Sequence, residues 1–160
     1  MENAGYYDNP FFVLNSPGNK SELNRSIASF NADWNPLSWL SFNENLGADQ
    51  YTDSRLEALP ITSAGNAAGT VTRNDFTFLE IDHNLTGTAK HTFGDNFSGT
   101  ITVGQNLNSR RDRNLNSNGQ QFLSPTPLAL QNTVSQTSSQ NESLAHIESY
   151  FGQATADLYN

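Results

Sequence analysis

The chain of 160 residues contains no cysteine and only three histidines. The absence of cysteine excludes disulfide scaffolds, thiol nucleophiles and cysteine-based zinc sites. No apolar run approaches the roughly 20 residues that a transmembrane helix needs. Residues 1–5 carry neither the basic region nor the apolar region of a signal peptide. Because an exported protein needs such a segment, we expect that Met1 is not the true N-terminus of an exported polypeptide.

Charged side chains are scarce, at 15% of the residues, and acidic ones dominate, with a net charge of -8. The pI is near 4.6. Phosphate contacts need clustered Lys and Arg, so this charge argues against a nucleic-acid role. The one basic cluster, Arg110, Arg111 and Arg113, is interrupted by Asp112. We interpret it as a solvated loop.

Hydrophobic residues are also few, at 35%, and the mean hydropathy is -0.59. The polarity comes mainly from uncharged Asn, Ser, Thr and Gln rather than from charge. Disordered regions usually combine low hydrophobicity with high charge and few aromatics, whereas this chain is 11% aromatic. The composition therefore indicates a folded chain with strand-type chemistry.

Alternation of apolar and polar residues recurs in five stretches, which predicts amphipathic β-strands. The apolar positions are Ala28, Phe30, Ala32 and Trp34; Leu40, Phe42, Leu46 and Ala48; Leu79, Ile81, Leu85, Ala89 and Phe93; Phe97, Ile101, Val103 and Leu107; and Tyr150, Ala154, Ala156 and Leu158. We therefore expect an all-β fold of antiparallel amphipathic strands.

The predicted connectors alternate in length. Asn35-Pro36-Leu37-Ser38 and Gly94-Asp95-Asn96 are rich in turn formers. Residues 52–74 and 109–143 are polar and are predicted as long loops, which are uncommon inside compact domains. Short turns at one end and long loops at the other are typical of bacterial outer-membrane barrels.

Aromatic rings flank both predicted turns: Trp34 and Trp39 at the first, Phe93 and Phe97 at the second. They fit the periplasmic aromatic girdle of a barrel, and equally the end of a soluble sandwich core. The polar face, mostly Asn, Thr, Ser and Asp, resembles the lining of a water-filled lumen. Glu44 is the exception, since it falls on the apolar face, and we expect a β-bulge or a partner chain to accommodate it.

No catalytic or metal-ligating constellation stands out. His83 and His91 share a face but lie roughly 26 Å apart along one strand, at about 3.3 Å per residue, so they cannot chelate one ion. Glu80 and Asp82 share the polar face without an adjacent nucleophile, and we interpret them as a lumen-facing pair. His146 is the remaining histidine.

Two further segments do not match known ligand-binding motifs. Residues 65–69 form a small-residue loop without the lysine of a phosphate cradle. The acids Asp49, Asp53 and Glu57 do not follow the EF-hand spacing. The sequence therefore predicts a non-enzyme with no catalytic residues, metal or cofactor, and it leaves the substrate-binding residues unknown.

Several short segments together resemble SusC/RagA-family TonB-linked outer-membrane proteins. They are residues 8–15 (DNPFFVLN), Asn24-Arg25, Trp39-Leu40, residues 47–55 (GADQYTDSR) and residues 150–155 (YFGQAT). The resemblance implies a 22-stranded barrel with an N-terminal plug in the bacterial outer membrane, energised by TonB. It also implies a SusD-like surface lipoprotein as a lid, and oligosaccharide or peptide substrates.

We therefore expect residues 1–160 to be part of a TonB-dependent receptor barrel, with about five strands, two short turns, two long loops and no plug. One face would contact the lipid bilayer. The alternative is a secreted, soluble β-sandwich that binds carbohydrate. It would use the same alternation to bury its apolar face.

Overall fold

A computed structural model describes residues 7–15, 18–94 and 96–158. Residues 1–5 and Asp95 of the second predicted turn lie outside this part. The elements are a short helix α1 (Pro10–Asn15) and the strands β1 (Asn19–Leu37), β2 (Leu40–Leu59), β3 (Thr70–Phe93), β4 (Phe97–Phe122) and β5 (Thr133–Leu158). The strands form one antiparallel sheet in the order β1-β2-β3-β4-β5. The all-β prediction is therefore confirmed.

The strands are longer than the alternation indicated, and the predicted bounds of the two long loops are wrong. The connectors are residues 60–69 and 123–132. Much of the polar sequence around them is strand, where side chains bond across the ladder: Asn116 Nδ2 donates to Asn74 Oδ1 at 2.8 Å, and Ser117 and Ser138 hydroxyls lie 2.9 Å apart. A strand that is polar on both faces shows no apolar alternation, so the sequence pattern misses it.

The first turn and the basic cluster also differ from expectation, whereas Gly94 and Asn96 lie between β3 and β4, where the second turn was predicted. Asn35, Pro36 and Leu37 belong to β1, and Ser38-Trp39 makes the first turn. Gly94, with φ +65°, follows β3 directly. The cluster at residues 110–113 is not a loop, because it lies within β4.

The chain divides into two compact units, and each of the five strands contributes a segment to both. Unit 1 comprises residues 1–25, 51–77 and 112–143; unit 2 comprises residues 26–50, 78–111 and 144–160.

Unit 1 holds a small hydrophobic core beside its connectors. Ala58, Val71 and Phe122 are buried together, and partly buried side chains pack against them: Leu56, Ile61, Leu128 and Leu130. Gly69 has φ +75°, and a Cβ there would collide with the Phe122 ring. Glycine is therefore required at this position on both conformational and steric grounds.

Polar contacts fix the loops of unit 1. The Asn132 amide is buried and donates to the carbonyls of Ser124 (2.7 Å) and Pro127 (2.8 Å) within connector 123–132. The Asp8 carboxylate, just before α1, accepts from the Ala64 N–H at 2.6 Å and from the Ser63 hydroxyl. Connector 60–69 is thereby tied to the segment that begins the helix.

Unit 2 is a single layer of strands with little interior. Of its described hydrophobic residues only Phe78 is buried. The apolar alternating positions are largely open: Phe30 is 60% exposed and Ile101 59%. No second sheet forms among the described residues to cover them.

Candidate functional site

The most prominent surface of unit 2 is the apolar side of its strands, which we call the apolar face. It consists of the even-numbered residues of β1, β2 and β5 and the odd-numbered residues of β3 and β4, as the alternation predicts. Its rings pack across strands: Trp34 stacks on Phe42 at 5.5 Å between centroids, and Phe93 lies 5.4 Å from Phe97. The neighbouring strands thus build a continuous aromatic and aliphatic surface.

The apolar face contains a depression of about 670 Å³ near the tight turns. Its lining combines the small residues Ala89, Gly99, Ala154 and Ala156 with aromatic side chains that include Trp39, Phe93 and Phe97. His91 packs edge-on against Phe93 at 4.4 Å. His91 therefore contributes its ring to the aromatic packing at this edge of the apolar face.

Polar side chains on the apolar face form two groups that pair between neighbouring strands. The Glu44 carboxylate lies 2.7 Å from His83 Nε2, with both side chains under a third exposed. Glu44 thus pairs with a residue of the next strand. On β4 and β5, Gln105 donates to Glu148 (3.4 Å) and to Tyr150 (3.3 Å), and the Tyr150 hydroxyl donates to Glu148.

The opposite side of unit 2, which we call the amide face, carries a hydrogen-bonded network. Asn106 Nδ2 donates to Asp82 (2.9 Å) and Asn84 (2.7 Å). Asn108 Nδ2 donates to Glu80 (2.9 Å) and Asp82 (3.1 Å). The pair Glu80 and Asp82 therefore accepts hydrogen bonds from carboxamides, and no base or nucleophile joins it among the bonds of this network. Arg110 lies over the Phe78 ring at 5.0 Å on the same face.

Unit 1 contains a separate cavity of about 330 Å³ on residues of the same parity as the amide face. It is lined by Tyr51, Asp53, Arg55, Asn74, Phe76 and Asn114. Tyr51 and Phe76 meet at 5.6 Å between ring centroids. Arg55 donates to one oxygen of Asp53 from both Nε (3.0 Å) and Nη2 (2.6 Å). The other Asp53 oxygen, Oδ1, is buried and has no hydrogen-bond partner among the described residues.

The remaining residues considered from sequence are not brought together. In the described part of the chain no group of three His, Asp or Glu side chains is placed to hold a metal ion. Asp49 and Glu57 therefore do not join Asp53 in a site, and His146 lies exposed on β5. Residues 65–69 belong to connector 60–69, where Gly69 N–H donates to the Asn66 carbonyl at 2.9 Å. No helix among the described residues is long and apolar enough to span a membrane.

The cavity was missed at the level of sequence. Asp53 and Arg55 fell in a segment interpreted as loop, and the lining comes from three strands. The period-two spacing of Tyr51, Asp53 and Arg55 is the signal that could have placed them on one face of a strand. Asn74 and Phe76 repeat this spacing on β3.

The chain matches no protein-family model, and no curated protein is significantly similar to it.

Proposed function

We propose that this chain forms part of the barrel wall of a TonB-dependent outer-membrane importer that takes up oligosaccharides or peptides. One observation carries the proposal: a single-layer sheet presents an exposed apolar face in unit 2 and a polar face behind it. Water is a poor environment for a contiguous apolar surface of this kind. Lipid covers such a face in transmembrane barrels, whose strands alternate apolar-out and polar-in.

The dimensions of the apolar face support contact with lipid. Apolar positions extend from Phe97 to Leu107 in β4 and from Tyr150 to Leu158 in β5, close to the roughly 9–11 residues with which a tilted strand crosses a bilayer. Positions of the same parity in unit 1 carry ion pairs instead, Arg73–Asp75 at 2.9 Å and Arg113–Glu142 at 3.2 Å. The proposed lipid-facing band is thus confined to unit 2.

The amide face supports a water-filled interior. Its carboxylates and carboxamides bond to one another around Asp82, and they keep hydrogen-bonding capacity for water or a passing solute. Barrel interiors are polar in this way when they enclose a channel or a plug. In unit 2, the apolar face would contact lipid and the amide face would line the lumen.

The aromatic rings at the tight turns support an orientation. Trp39, Phe93 and Phe97 lie next to the two tight turns, the position of the periplasmic girdle in barrels. Connectors 60–69 and 123–132 follow the other ends of the strands and would face the outside of the cell. There they would contact substrate or a SusD-like surface lipoprotein.

The resemblance of residues 8–15 and 47–55 to SusC/RagA proteins favours a TonB-dependent importer over an outer-membrane barrel of another function. The open five-stranded sheet pairs β1 and β5 on one side only, within the described residues. Further strands are needed to close a barrel around it. Transport would be driven by TonB through a plug domain, with no covalent chemistry in these strands and no cofactor.

A secreted carbohydrate-binding sandwich is the alternative. It would cover the apolar face with a second sheet at about 10 Å. The described residues form one sheet only, so this alternative needs a covering layer from elsewhere.

Cell fractionation combined with uptake measurements tests the proposal. We expect the tagged chain, expressed from its own gene, in the outer-membrane fraction. Deletion of the gene should abolish uptake of a labelled oligosaccharide or oligopeptide while leaving uptake of the corresponding monomer unchanged. Recovery of the chain as a soluble secreted protein, with uptake unchanged on deletion, would contradict the importer and favour the sandwich.

A further inference from the structure

We propose that the cavity in unit 1 lined by Tyr51, Asp53, Arg55, Asn74, Phe76 and Asn114 binds a neutral oligosaccharide, one sugar ring of which packs on the aromatic pair. This inference deepens the proposed function and rests on it in one respect: the face that carries the cavity must be open to the aqueous interior of the barrel. The proposal selects oligosaccharides over peptides as the substrate and locates their binding site on the barrel wall.

The aromatic pair supplies an apolar platform. Tyr51 and Phe76 come from adjacent strands, and their ring planes are tilted by 35° at 5.6 Å between centroids. Both side chains are half-buried, so part of each ring stays accessible. The negatively polarised face of an aromatic ring attracts the C–H groups on one side of a pyranose ring. The pair therefore offers an apolar surface on which one side of a sugar ring can pack.

The acid–base pair beside the rings supplies an oriented acceptor. Arg55 occupies only the Oδ2 atom of Asp53, at 2.6 and 3.0 Å. Oδ1 is buried without a partner, although the Asp53 side chain as a whole is 15% exposed. A buried acceptor without a donor is costly, so Oδ1 gains a hydrogen bond if a rotation of the Asp53 side chain presents it to a ligand hydroxyl. The exposed guanidinium of Arg55 can donate to a neighbouring hydroxyl of the same sugar.

The net charge of the pocket selects a neutral ligand. Asp53 and Arg55 compensate each other, and the other lining side chains are uncharged. Asn74 and Asn114 add carboxamides, each of which can both donate and accept, as vicinal hydroxyls require. An anionic ligand would place its charge against Asp53 Oδ1.

The location of the cavity disfavours a peptide. Peptides commonly bind by adding a strand to a sheet edge, where backbone groups are free. The lining residues belong to β2, β3 and β4, which are the inner strands of the sheet and already pair on both sides. Only side chains are offered at the cavity, and they are those that recognise hydroxyl groups.

Binding measurements on the full chain in detergent micelles test the proposal. The probes are neutral hexasaccharides of glucose, mannose and xylose, and uncharged hexapeptides represent the competing class of ligand. Saturation-transfer NMR and calorimetry measure the binding of each probe. We expect at least one hexasaccharide to bind and Tyr51→Ala to weaken it at least tenfold, because the platform is lost. Tyr51→Phe should stay within threefold. Asp53→Asn, which removes the charged acceptor with little change in shape, should weaken binding at least fivefold.

Matched controls are available on the same strands. Phe93→Ala removes a ring of the apolar face, and Asp33→Asn changes an amide-face carboxylate that bonds to Asn43 at 2.7 Å. Both should leave affinity unchanged, and far-UV circular dichroism should show equal strand content for every variant. Absence of hexasaccharide binding, unchanged affinity in Tyr51→Ala, or Tyr51-dependent binding of the peptides instead would each overturn the proposal.

The two proposals fail separately. If the chain is secreted and soluble but Tyr51→Ala abolishes sugar binding, the importer is wrong and the site stands. If the chain is in the outer membrane and supports uptake but Tyr51→Ala binds the sugar normally, the site is wrong and the importer stands.

Discussion

At the scale of single residues, Glu44 shows how one acid is kept on an otherwise apolar surface. Its carboxylate accepts from His83 on the neighbouring strand, at 2.7 Å. Breaking one member of such a pair leaves the other without a partner in apolar surroundings, which costs more than removing both.

The first prediction concerns this pair. In lipid vesicles, His83→Leu should lower the free energy of unfolding by about 1–3 kcal/mol, because the Glu44 carboxylate loses its donor. The double variant Glu44→Leu/His83→Leu should recover most of this loss. Thermal unfolding followed by circular dichroism gives the double-mutant cycle. Asn43→Ala, at an exposed bond to Asp33, is the control and should cost less than about 0.5 kcal/mol. Additive losses at Glu44 and His83 would show that the two side chains are not coupled.

Asp8 is the second residue with a measurable consequence. The hydrogen bond from the Ser63 hydroxyl, and then that from the Ala64 N–H, lowers the pKa of Asp8 below 3.8. A carboxylate with a depressed pKa stabilises the structure above its unfolded pKa, and that contribution is lost as the pH falls through the folded value. The link between Asp8 and connector 60–69 should therefore hold at neutral pH and weaken only below about pH 3.8.

The chemical shift of the Ala64 amide proton measures this link directly. We expect a titration with a midpoint below 3.8 in the wild type and no such transition in Asp8→Asn. A midpoint at or above 3.8, or the same transition in Asp8→Asn, would contradict the contact between Asp8 and Ala64.

At the scale of elements, the stability of the loop ends depends on the small core of unit 1. Phe122 ends β4, is 6% exposed, and packs with Ala58 and Val71 beneath connector 60–69. Its neighbour Leu123 is 68% exposed. Leu123 therefore serves as an exposed hydrophobic control for the buried Phe122.

We predict that Phe122→Ala lowers the free energy of unfolding by about 3 kcal/mol, through lost burial and the cavity that remains. Leu123→Ala should change it by less than about 0.5 kcal/mol. Denaturant unfolding in micelles provides the values, and limited proteolysis should show earlier cleavage in connectors 60–69 and 123–132 for Phe122→Ala alone. Equal effects at the two positions would mean that this cluster is not a core.

The elements also show what sequence can and cannot predict here. The alternation of apolar and polar residues predicted part of every strand. It did so where apolar residues such as Ile101 and Val103 occupy one face, because the period of two is directly visible there. It failed at residues 109–122, where polar side chains such as Asn116 and Ser117 occupy both faces and bond to the neighbouring strands. Cross-strand partners such as His83 for Glu44, and the cavity around Asp53, depend on register between strands, which one strand's pattern does not contain.

At the scale of the whole molecule, a place in the barrel wall requires that one surface of the sheet contacts lipid. The apolar face has no covering layer among the described residues, and the amide face is bonded within itself and polar. These two faces alternate residue by residue, so neighbouring positions in one strand should experience opposite environments. Ile101 and Thr102 are such neighbours on β4: Ile101 is 59% exposed on the apolar face, and the Thr102 hydroxyl lies 3.1 Å from that of Thr88.

The most direct test uses the absence of cysteine, which allows one label at a time. Ile101→Cys and Thr102→Cys would each carry an environment-sensitive fluorophore in chain folded into lipid vesicles, with brominated lipid and aqueous iodide as quenchers. We predict that the label at 101 is quenched by brominated lipid and shielded from iodide, and that the label at 102 shows the reverse. Equal quenching of both labels by iodide, with none by lipid, would contradict a membrane-facing apolar surface.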